Sequence, residues 1–216
     1  MAATVHIKIC GVTNAEILTA CAEAGAKYVG LNFYPPSPRS IAPDAAADLA
    51  RQAPPAVKLV GVFVDPTYEE LEAILVRAPL DMIQLHGSEI PARVMEIKAR
   101  YATPVIKAIP VATSADVIAA RAYESVADYL MFDAKPPRNV TVLPGGTGLA
   151  FDWKILAKQK FNVPWFLAGG LTPDNVAEAV RITGAHYVDC ASGVESRPGV
   201  KDKNLIAKFI SAAQGK

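Results

Sequence analysis

The chain has 216 residues, enough for one domain with a well-buried core, and its hydrophobic (51%) and charged (20%) fractions are ordinary for a soluble globular protein. Its formal net charge of +1 argues against a nucleic acid or a membrane surface as a partner. It has no apolar run near the roughly 20 residues that span a bilayer, no signal peptide and no CxxC pair or disulfide framework among its three cysteines, so a cytoplasmic location is expected.

Short β-rich runs alternate with helical patterns along the chain. The first run, "VHIKIC", precedes "NAEILTACAEAG", in which apolar residues share one helical face, Asn14 is an N-cap candidate and Gly25 a stop signal. Similar helical spacing appears in "PTYEELEAILVRA", "PDNVAEAVRITG" and "KDKNLIAKFISAA". The eight predicted strands span 5–10, 28–33, 57–64, 81–85, 104–109, 129–133, 164–168 and 186–190.

Strands that alternate with helices must run parallel, because a parallel connection needs a crossover. Eight such units in 216 residues predict an α/β fold, a single (β/α)8 TIM barrel that covers residues 1–216. An open doubly wound sheet is the alternative, but it usually has fewer strands and a glycine fingerprint after the first one, which "CGVTNA" lacks. The longest irregular piece, 134–150, is expected to be a functional or a disordered loop.

In such a barrel the chemistry lies in the loops after the carboxyl ends of the strands. "GGL" (169–171) and "SGVE" (192–195) follow the last two strands, where glycine lets backbone N–H groups approach an anion. Either segment alone could be a plain turn between a strand and a helix. Their combination after strands 7 and 8 favours a phosphate site.

Two of the predicted strand ends carry groups suited to proton transfer. Cys10 ends strand 1 and Asp133 ends strand 6, on different sides of a closed barrel. A thiolate can remove a proton from carbon while a carboxylic acid protonates oxygen. The other interpretation is a small buried cysteine and an aspartate that caps a turn, and position alone leaves both open.

The remaining polar residues near the predicted strand ends have less specific interpretations. Arg39 could bind a carboxylate through two parallel hydrogen bonds, or it could be a solvated loop charge. His86 could be a ligand or a satisfied loop histidine, and Asp65 before a proline indicates an ordinary turn or helix cap. His6 and His186 lie at strand starts, away from this face. Because no His, Cys and carboxylate set has metal-ligand spacing, no metal is expected.

Eight ordered segments together resemble the phosphoribosylanthranilate isomerase family of tryptophan biosynthesis. They are "KICGVT", "FYPPSPRSI", "VGVF", "IQLHG", "FDAKPP", "GGTGLAFDW", "LAGGLTPDNV" and "VDCASGVESRPGVKD", and they run from Lys8 to about Lys203. The resemblance implies a cofactor-free Amadori rearrangement of N-(5-phosphoribosyl)anthranilate to 1-(2-carboxyphenylamino)-1-deoxyribulose 5-phosphate, by a monomer or a homodimer. It implies that Cys10 is the general base, that Asp133 is the general acid and that Arg39 holds the anthranilate carboxylate.

The resemblance also implies a larger set of substrate-binding positions around these three residues. They are Lys8, His86, Gly169, Gly170, Leu171, Asp189, Ser192, Gly193 and Val194, of which Gly170, Leu171, Gly193 and Val194 present their backbone to the phosphate. The strand 8 motif departs from the more usual "DVSSGVE", since Ala191 lacks a hydroxyl and Cys190 replaces a valine. The connection that begins "FDAKPP" is also longer than in many members.

Two rival functions remain at this stage. The related isomerase of histidine biosynthesis performs the same chemistry on a larger aminoaldose with two phosphates, but that family uses an aspartate where Cys10 stands. A non-catalytic barrel could bind a phosphorylated metabolite, but it would not need both Cys10 and Asp133. The sequence offers one clear phosphate site, which favours the smaller substrate.

Overall fold

Eight parallel strands close into a barrel in the order β1 to β8, which confirms the predicted (β/α)8 class. The computed structural model describes residues 4–135 and 150–215. The strands are β1 (His6–Cys10), β2 (Tyr28–Asn32), β3 (Lys58–Phe63), β4 (Met82–Leu85), β5 (Val105–Val111), β6 (Tyr129–Ala134), β7 (Trp165–Leu167) and β8 (Tyr187–Cys190). Parallel pairing between β8 and β1 closes the ring, so all eight carboxyl ends open on one face.

Helices pack around the barrel, and local signals mark where they begin and end. They are α1 (Ala15–Ala24), α2 (Pro43–Gln52), α3 (Tyr68–Leu75), α4 (Pro91–Tyr101), α5 (Ser114–Ala119), α6 (Val176–Thr183) and α7 (Lys203–Ala213). As predicted, the Asn14 side chain caps α1 by accepting a hydrogen bond from the Ile17 N–H at 2.9 Å. Gly25 ends the helix with φ of +99°, a conformation that favours glycine.

The connection from β6 to β7 departs from the prediction of a helical segment after every strand. Among its described residues, the helical part is one short 3-10 turn, Trp153–Leu156. Asp152 begins this turn by accepting from the Lys154 N–H, and Lys158 adopts φ of +64°, which a continuing helix does not allow. Most of the predicted loop 134–150 lies outside the described residues.

Side chains alternate along each strand between the barrel interior and the helix layer. On β1, Ile7 and Ile9 pack in the large core beneath the helices, so Lys8 and Cys10 face inward. The lower part of the interior is filled by an apolar cluster of Tyr28, Val60, Met82, Ile106, Ala108, Met131, Phe166 and Ala168. This filling leaves polar inward positions near the carboxyl ends of the strands. No described helix is long and apolar enough to cross a membrane.

Two further short strands follow the barrel. The antiparallel pair β9 (Glu195–Arg197) and β10 (Val200–Lys201) forms a hairpin after the 3-10 turn Ser192–Val194. The hairpin reaches the loop after β2, because the Gly199 backbone packs against the Pro38 carbonyl. The segment after β8 therefore contacts two sides of the open face.

Candidate active site

One cleft at the carboxyl face brings together most of the residues that the sequence singled out. Its lining includes nine predicted residues: Cys10, Arg39, His86, Asp133, Gly169, Gly170, Leu171, Asp189 and Ser192. The structure does not bring Lys8 to this surface, because its side chain is completely buried below it. Val194 is also buried, and its N–H points to the Ala191 carbonyl at 3.5 Å.

The thiol of Cys10 lies at the floor of the cleft with 8% of the residue exposed. Beneath it, the Lys8 ammonium donates a hydrogen bond to Asp189 Oδ1 at 2.8 Å. Burial raises the pKa of the Cys10 thiol above its ordinary value, while the positive charge of Lys8 opposes that shift. The other two cysteines, Cys21 and Cys190, are also buried. Burial raises the pKa of Cys21 to about 12 and also raises that of Cys190.

Gly11, which follows Cys10, allows the chain to turn after β1 and leaves room for the side chain of Arg39. It adopts φ of +81°, and a Cβ atom there would lie 2.7 Å from Cδ of Arg39. The aliphatic stem of Arg39 therefore passes directly over this glycine. Ser37 also fixes the loop, because its Oγ accepts a hydrogen bond from the Arg39 N–H at 3.2 Å.

Arg39 forms a planar two-bond contact with a carboxylate of the protein itself. Its Nε and Nη2 donate to Oε1 and Oε2 of Glu195, both at 2.8 Å. Glu195 also accepts hydrogen bonds from the Lys201 ammonium at 2.5 Å and from the Gly199 N–H at 3.2 Å. Burial works to raise the pKa of Glu195, but Arg39 and Lys201 outweigh it and lower this pKa. The guanidinium is thus held in one orientation at the rim of the cleft.

On the opposite side, Asp133 belongs to a chain of three side chains. Its Oδ1 accepts from the Ala134 N–H at 2.8 Å, and its Oδ2 lies 3.1 Å from Nε2 of His86. The Nδ1 atom of His86 lies 2.8 Å from the Gln84 amide nitrogen. With this amide orientation, Nδ1 accepts a hydrogen bond and Nε2–H donates to Asp133. Asp133 therefore has a fixed direction and one defined side-chain partner.

A buried ion pair fixes the loop that carries His86. Lys107 donates to Glu89 Oε2 at 2.6 Å and to the Gly87 carbonyl at 2.7 Å. Glu89 in turn accepts from the backbone N–H groups of Gly87 and Asp65. Asp65 itself accepts from the Ser88 N–H, so it is a turn residue as the sequence indicates. These contacts join the ends of three neighbouring strands.

The glycine-bearing segments after β7 and β8 touch each other. A Cβ on Gly193 would lie 1.9 Å from the Leu171 carbonyl oxygen, a distance at which no side chain fits. Gly169 and Gly170 have φ of +83° and +64°, which turn the chain away from β7. The described residues provide no hydrogen-bond acceptor for the N–H groups of Gly170 and Leu171. The two segments therefore form one wall with backbone donors that can meet an anion.

Three contributors to the site were missed at the sequence level: Gln84, Glu195 and Lys201. Gln84 had a readable signal, since a polar residue stands at an inward position of a buried strand. Glu195 and Lys201 had none, because their role depends on Arg39, which lies 156 positions away from Glu195. In the described part of the chain, no group of three His, Cys, Asp or Glu side chains is placed to hold a metal ion. His6 and His186 line a separate cavity at the other end of the barrel, as expected.

The chain is similar to known proteins over nearly its whole length. Residues 7–212 match the family described as N-(5'phosphoribosyl)anthranilate (PRA) isomerase. A relative from Paramagnetospirillum magneticum, named N-(5'-phosphoribosyl)anthranilate isomerase, is 54% identical over 211 residues, which are 98% of each chain. The crystal structure of phosphoribosyl anthranilate isomerase from Thermotoga maritima has a TM-score of 0.88 at 37% identity and covers 99% of this chain and 100% of that one.

A second crystal structure shows an enzyme of the same name with a bound molecule. That enzyme is in complex with reduced 1-(o-carboxyphenylamino)-1-deoxyribulose 5-phosphate, and its TM-score is 0.84 at 34% identity over 99% of this chain and 100% of that chain. The family match covers nearly the whole chain, and the sequence identity is high over the same length. The chain therefore belongs to the phosphoribosylanthranilate isomerase family and is an enzyme of the isomerase class.

Proposed function

We propose that this enzyme converts N-(5-phosphoribosyl)anthranilate to 1-(2-carboxyphenylamino)-1-deoxyribulose 5-phosphate, an Amadori rearrangement of tryptophan biosynthesis, without a cofactor. The observation that carries the proposal is the presence of Cys10 and Asp133 in one cleft. They stand at the ends of β1 and β6, with the glycine wall on the strands between them. A base and an acid on different sides of a bound sugar suit this reaction.

Asp133 is the proposed acid for opening the sugar ring. Its proton passes to the furanose ring oxygen, the bond between C1 and that oxygen breaks, and the anthranilate nitrogen forms a Schiff base with C1. The hydrogen bond between His86 and Oδ2 of Asp133 supports this role, because it fixes the direction of the carboxyl group. His86 also lines the cleft, which is consistent with a second role in contacting the substrate.

Cys10 is the proposed base for the second step. Its thiolate removes the proton from C2 of the sugar, and the electrons of that C–H bond form a C1–C2 double bond as the Schiff base becomes an enolamine. The enolamine then tautomerises to the ketone. The location of Cys10 at the cleft floor supports this role. Cys21 does not line the cleft, and the Cys190 thiol donates to the Leu171 carbonyl at 3.2 Å, which argues against either as a substitute.

The two anionic ends of the substrate have separate proposed sites. The phosphate lies against the wall formed by Gly169, Gly170, Leu171, Ser192 and Gly193, where the backbone donors of Gly170 and Leu171 are the strongest support. The anthranilate carboxylate lies at Arg39. Glu195 fixes the orientation of this guanidinium, which lines the cleft and is a planar cationic group suited to a carboxylate. Asp189 also lines the cleft, which supports a contact with the sugar.

The test is to offer the purified protein each aminoaldose separately and to follow the reaction. We expect N-(5-phosphoribosyl)anthranilate to be consumed, seen as loss of anthranilate fluorescence, while the two-phosphate aminoaldose of histidine biosynthesis is not. Consumption of only the second compound would assign the chain to that reaction. Binding of the first compound without turnover would support the non-catalytic barrel and refute the proposal.

A further inference from the structure

The buried ammonium of Lys8 is the feature that substrate binding does not explain. The residue has no exposed surface, and its ammonium donates a hydrogen bond at 2.8 Å to Asp189, directly across from it in the pairing of β1 and β8. A lysine ammonium carries three N–H donors, and burial of an isolated charge is expensive unless acceptors surround it. This burial gives no support to the direct contact between Lys8 and the substrate that the resemblance implied.

Gly30 shows what else the ammonium faces. Cys10 pairs with Gly30 on β2, and a Cβ atom on that glycine would lie 2.8 Å from the Cys10 sulfur and 3.1 Å from Lys8 Nζ. The sulfur and the ammonium thus converge on the same small space above Gly30. Because this position has no side chain, nothing there separates the two groups. Lys8 and Cys10 are two residues apart on one strand, so both point into the barrel.

We propose that Lys8 is the counter-ion of the Cys10 thiolate and that its ammonium is shared between the sulfur and the Asp189 carboxylate. Lys8 is then a positioning residue, which acts through Cys10 and does not touch the substrate. The proposal deepens the proposed function, since it takes Cys10 to be the base. It also explains a lysine at this position, because a neutral side chain could not stabilise a second negative charge beside Asp189.

The charges around the sulfur favour this assignment. Burial has the largest effect on the pKa of Cys10 and raises it, and the charge of Lys8 has the largest opposing effect. Asp189 raises the same pKa, and Lys201 lowers it from the hairpin. The other charged or titratable side chains that line the cleft are Arg39, His86, Asp133 and Cys190. Loss of the Lys8 charge would therefore leave the thiolate facing Asp189 with only more distant cations.

The experiment measures the acidity of the thiol directly. Lys8→Met and the parent are treated with iodoacetamide across a pH series, and alkylation of the peptide that contains Cys10 is quantified by mass spectrometry. We expect the midpoint for Lys8→Met to rise by about 1–3 pH units, since a nearby opposite charge shifts a pKa by that amount. The midpoint of the rate profile of isomerisation should rise equally, so raising the pH should recover activity. Lys58→Met, which removes an exposed lysine far from the cleft, should change neither profile.

Asp189→Asn provides the test of opposite sign. It removes the competing carboxylate and keeps the ammonium, so the alkylation midpoint of Cys10 should fall. An unchanged or higher midpoint in folded Asp189→Asn, or an unchanged midpoint in folded Lys8→Met, overturns the proposal. If Lys8→Met does not fold, the Asp189→Asn result alone decides. Alkylation reports on the thiol whether or not turnover occurs, so a parent protein without isomerase activity would refute the proposed function separately.

Discussion

The two most specific side chains of the cleft, Cys10 and Arg39, are linked through Gly11. The glycine turns the chain after the cysteine and leaves room for the arginine stem, whose Cδ would lie 2.7 Å from any Cβ added there. The sequence itself indicates the turn, because glycine directly follows an apolar strand. It did not predict the close packing against Arg39, which depends on a loop from another part of the chain.

Substitution of Arg39 tests binding separately from chemistry. The anthranilate carboxylate does not react, so an arginine that holds it supports the ground state and the transition state similarly. A charged hydrogen bond contributes about 1.5–3 kcal/mol, so Arg39→Ala should raise KM roughly 10- to 100-fold with a smaller loss in kcat. Arg39→Lys should restore only part of the affinity, because an ammonium lacks the planar fork. Steady-state kinetics with an unchanged KM for Arg39→Ala would remove Arg39 from the binding site.

The pH dependence of turnover follows from the raised pKa of the Cys10 thiol. Burial is the main cause, and it keeps the group protonated at a higher pH than an exposed thiol. The base acts only when deprotonated, so kcat/KM should still increase with pH between about 7 and 9, by up to tenfold per unit. Initial rates measured across this range, with structural integrity checked by circular dichroism, give the profile. A flat profile would mean that the base titrates well below neutral pH.

At the scale of strands and helices, the alternation of apolar β-rich runs with helical patterns was enough to locate the strands. All eight strands were predicted within two residues of their observed ends, because each buried run is bounded by turn and cap residues. The same period of two determines that Lys8 and Cys10 share the inward face. The ion pairs could not be predicted, since Arg39 and Glu195 are separated by 156 positions and nothing local marks them as partners. The connection after β6 was misjudged because local spacing did not reveal how short its helical turn is.

The contact between the glycine segments after β7 and β8 predicts that phosphate binding is sensitive to any side chain added at Gly193. Gly193→Ala would place a Cβ 1.9 Å from the Leu171 carbonyl oxygen, so the wall must move apart. We expect KM for the phosphorylated substrate to rise about tenfold or more, because precisely directed backbone donors lose their common target. Gly184→Ala is the matched control. It stands at the end of α6 with φ of +70° and open space around its Cα, so it should lower stability modestly and leave KM unchanged. Equal KM values for parent and Gly193→Ala would exclude this wall as the phosphate site.

At the scale of the whole molecule, closure of the barrel makes the site. Cys10 and Asp133 lie in distant parts of the chain, and the ring of eight strands brings their ends to one cleft. Burial on both faces explains why β-rich runs of this chain are almost continuously apolar, while the inward carboxylates Asp133 and Asp189 lie at the functional end. The fold class could be predicted from the number and order of the strand–helix units. The proposed reaction could be inferred only from the particular residues at the carboxyl ends of the strands.

The central claim is that Cys10 and Asp133 are the base and the acid of one isomerisation, and one assay tests it directly. Parent, Cys10→Ala, Asp133→Asn and Cys21→Ala are compared by the initial loss of anthranilate fluorescence from N-(5-phosphoribosyl)anthranilate. General acid or base catalysis commonly supplies about 10²–10⁴-fold, so kcat should fall by that order in each of the two active-site variants, while Cys21→Ala keeps the parent value. A kcat within a few-fold of the parent for either Cys10→Ala or Asp133→Asn would contradict the account.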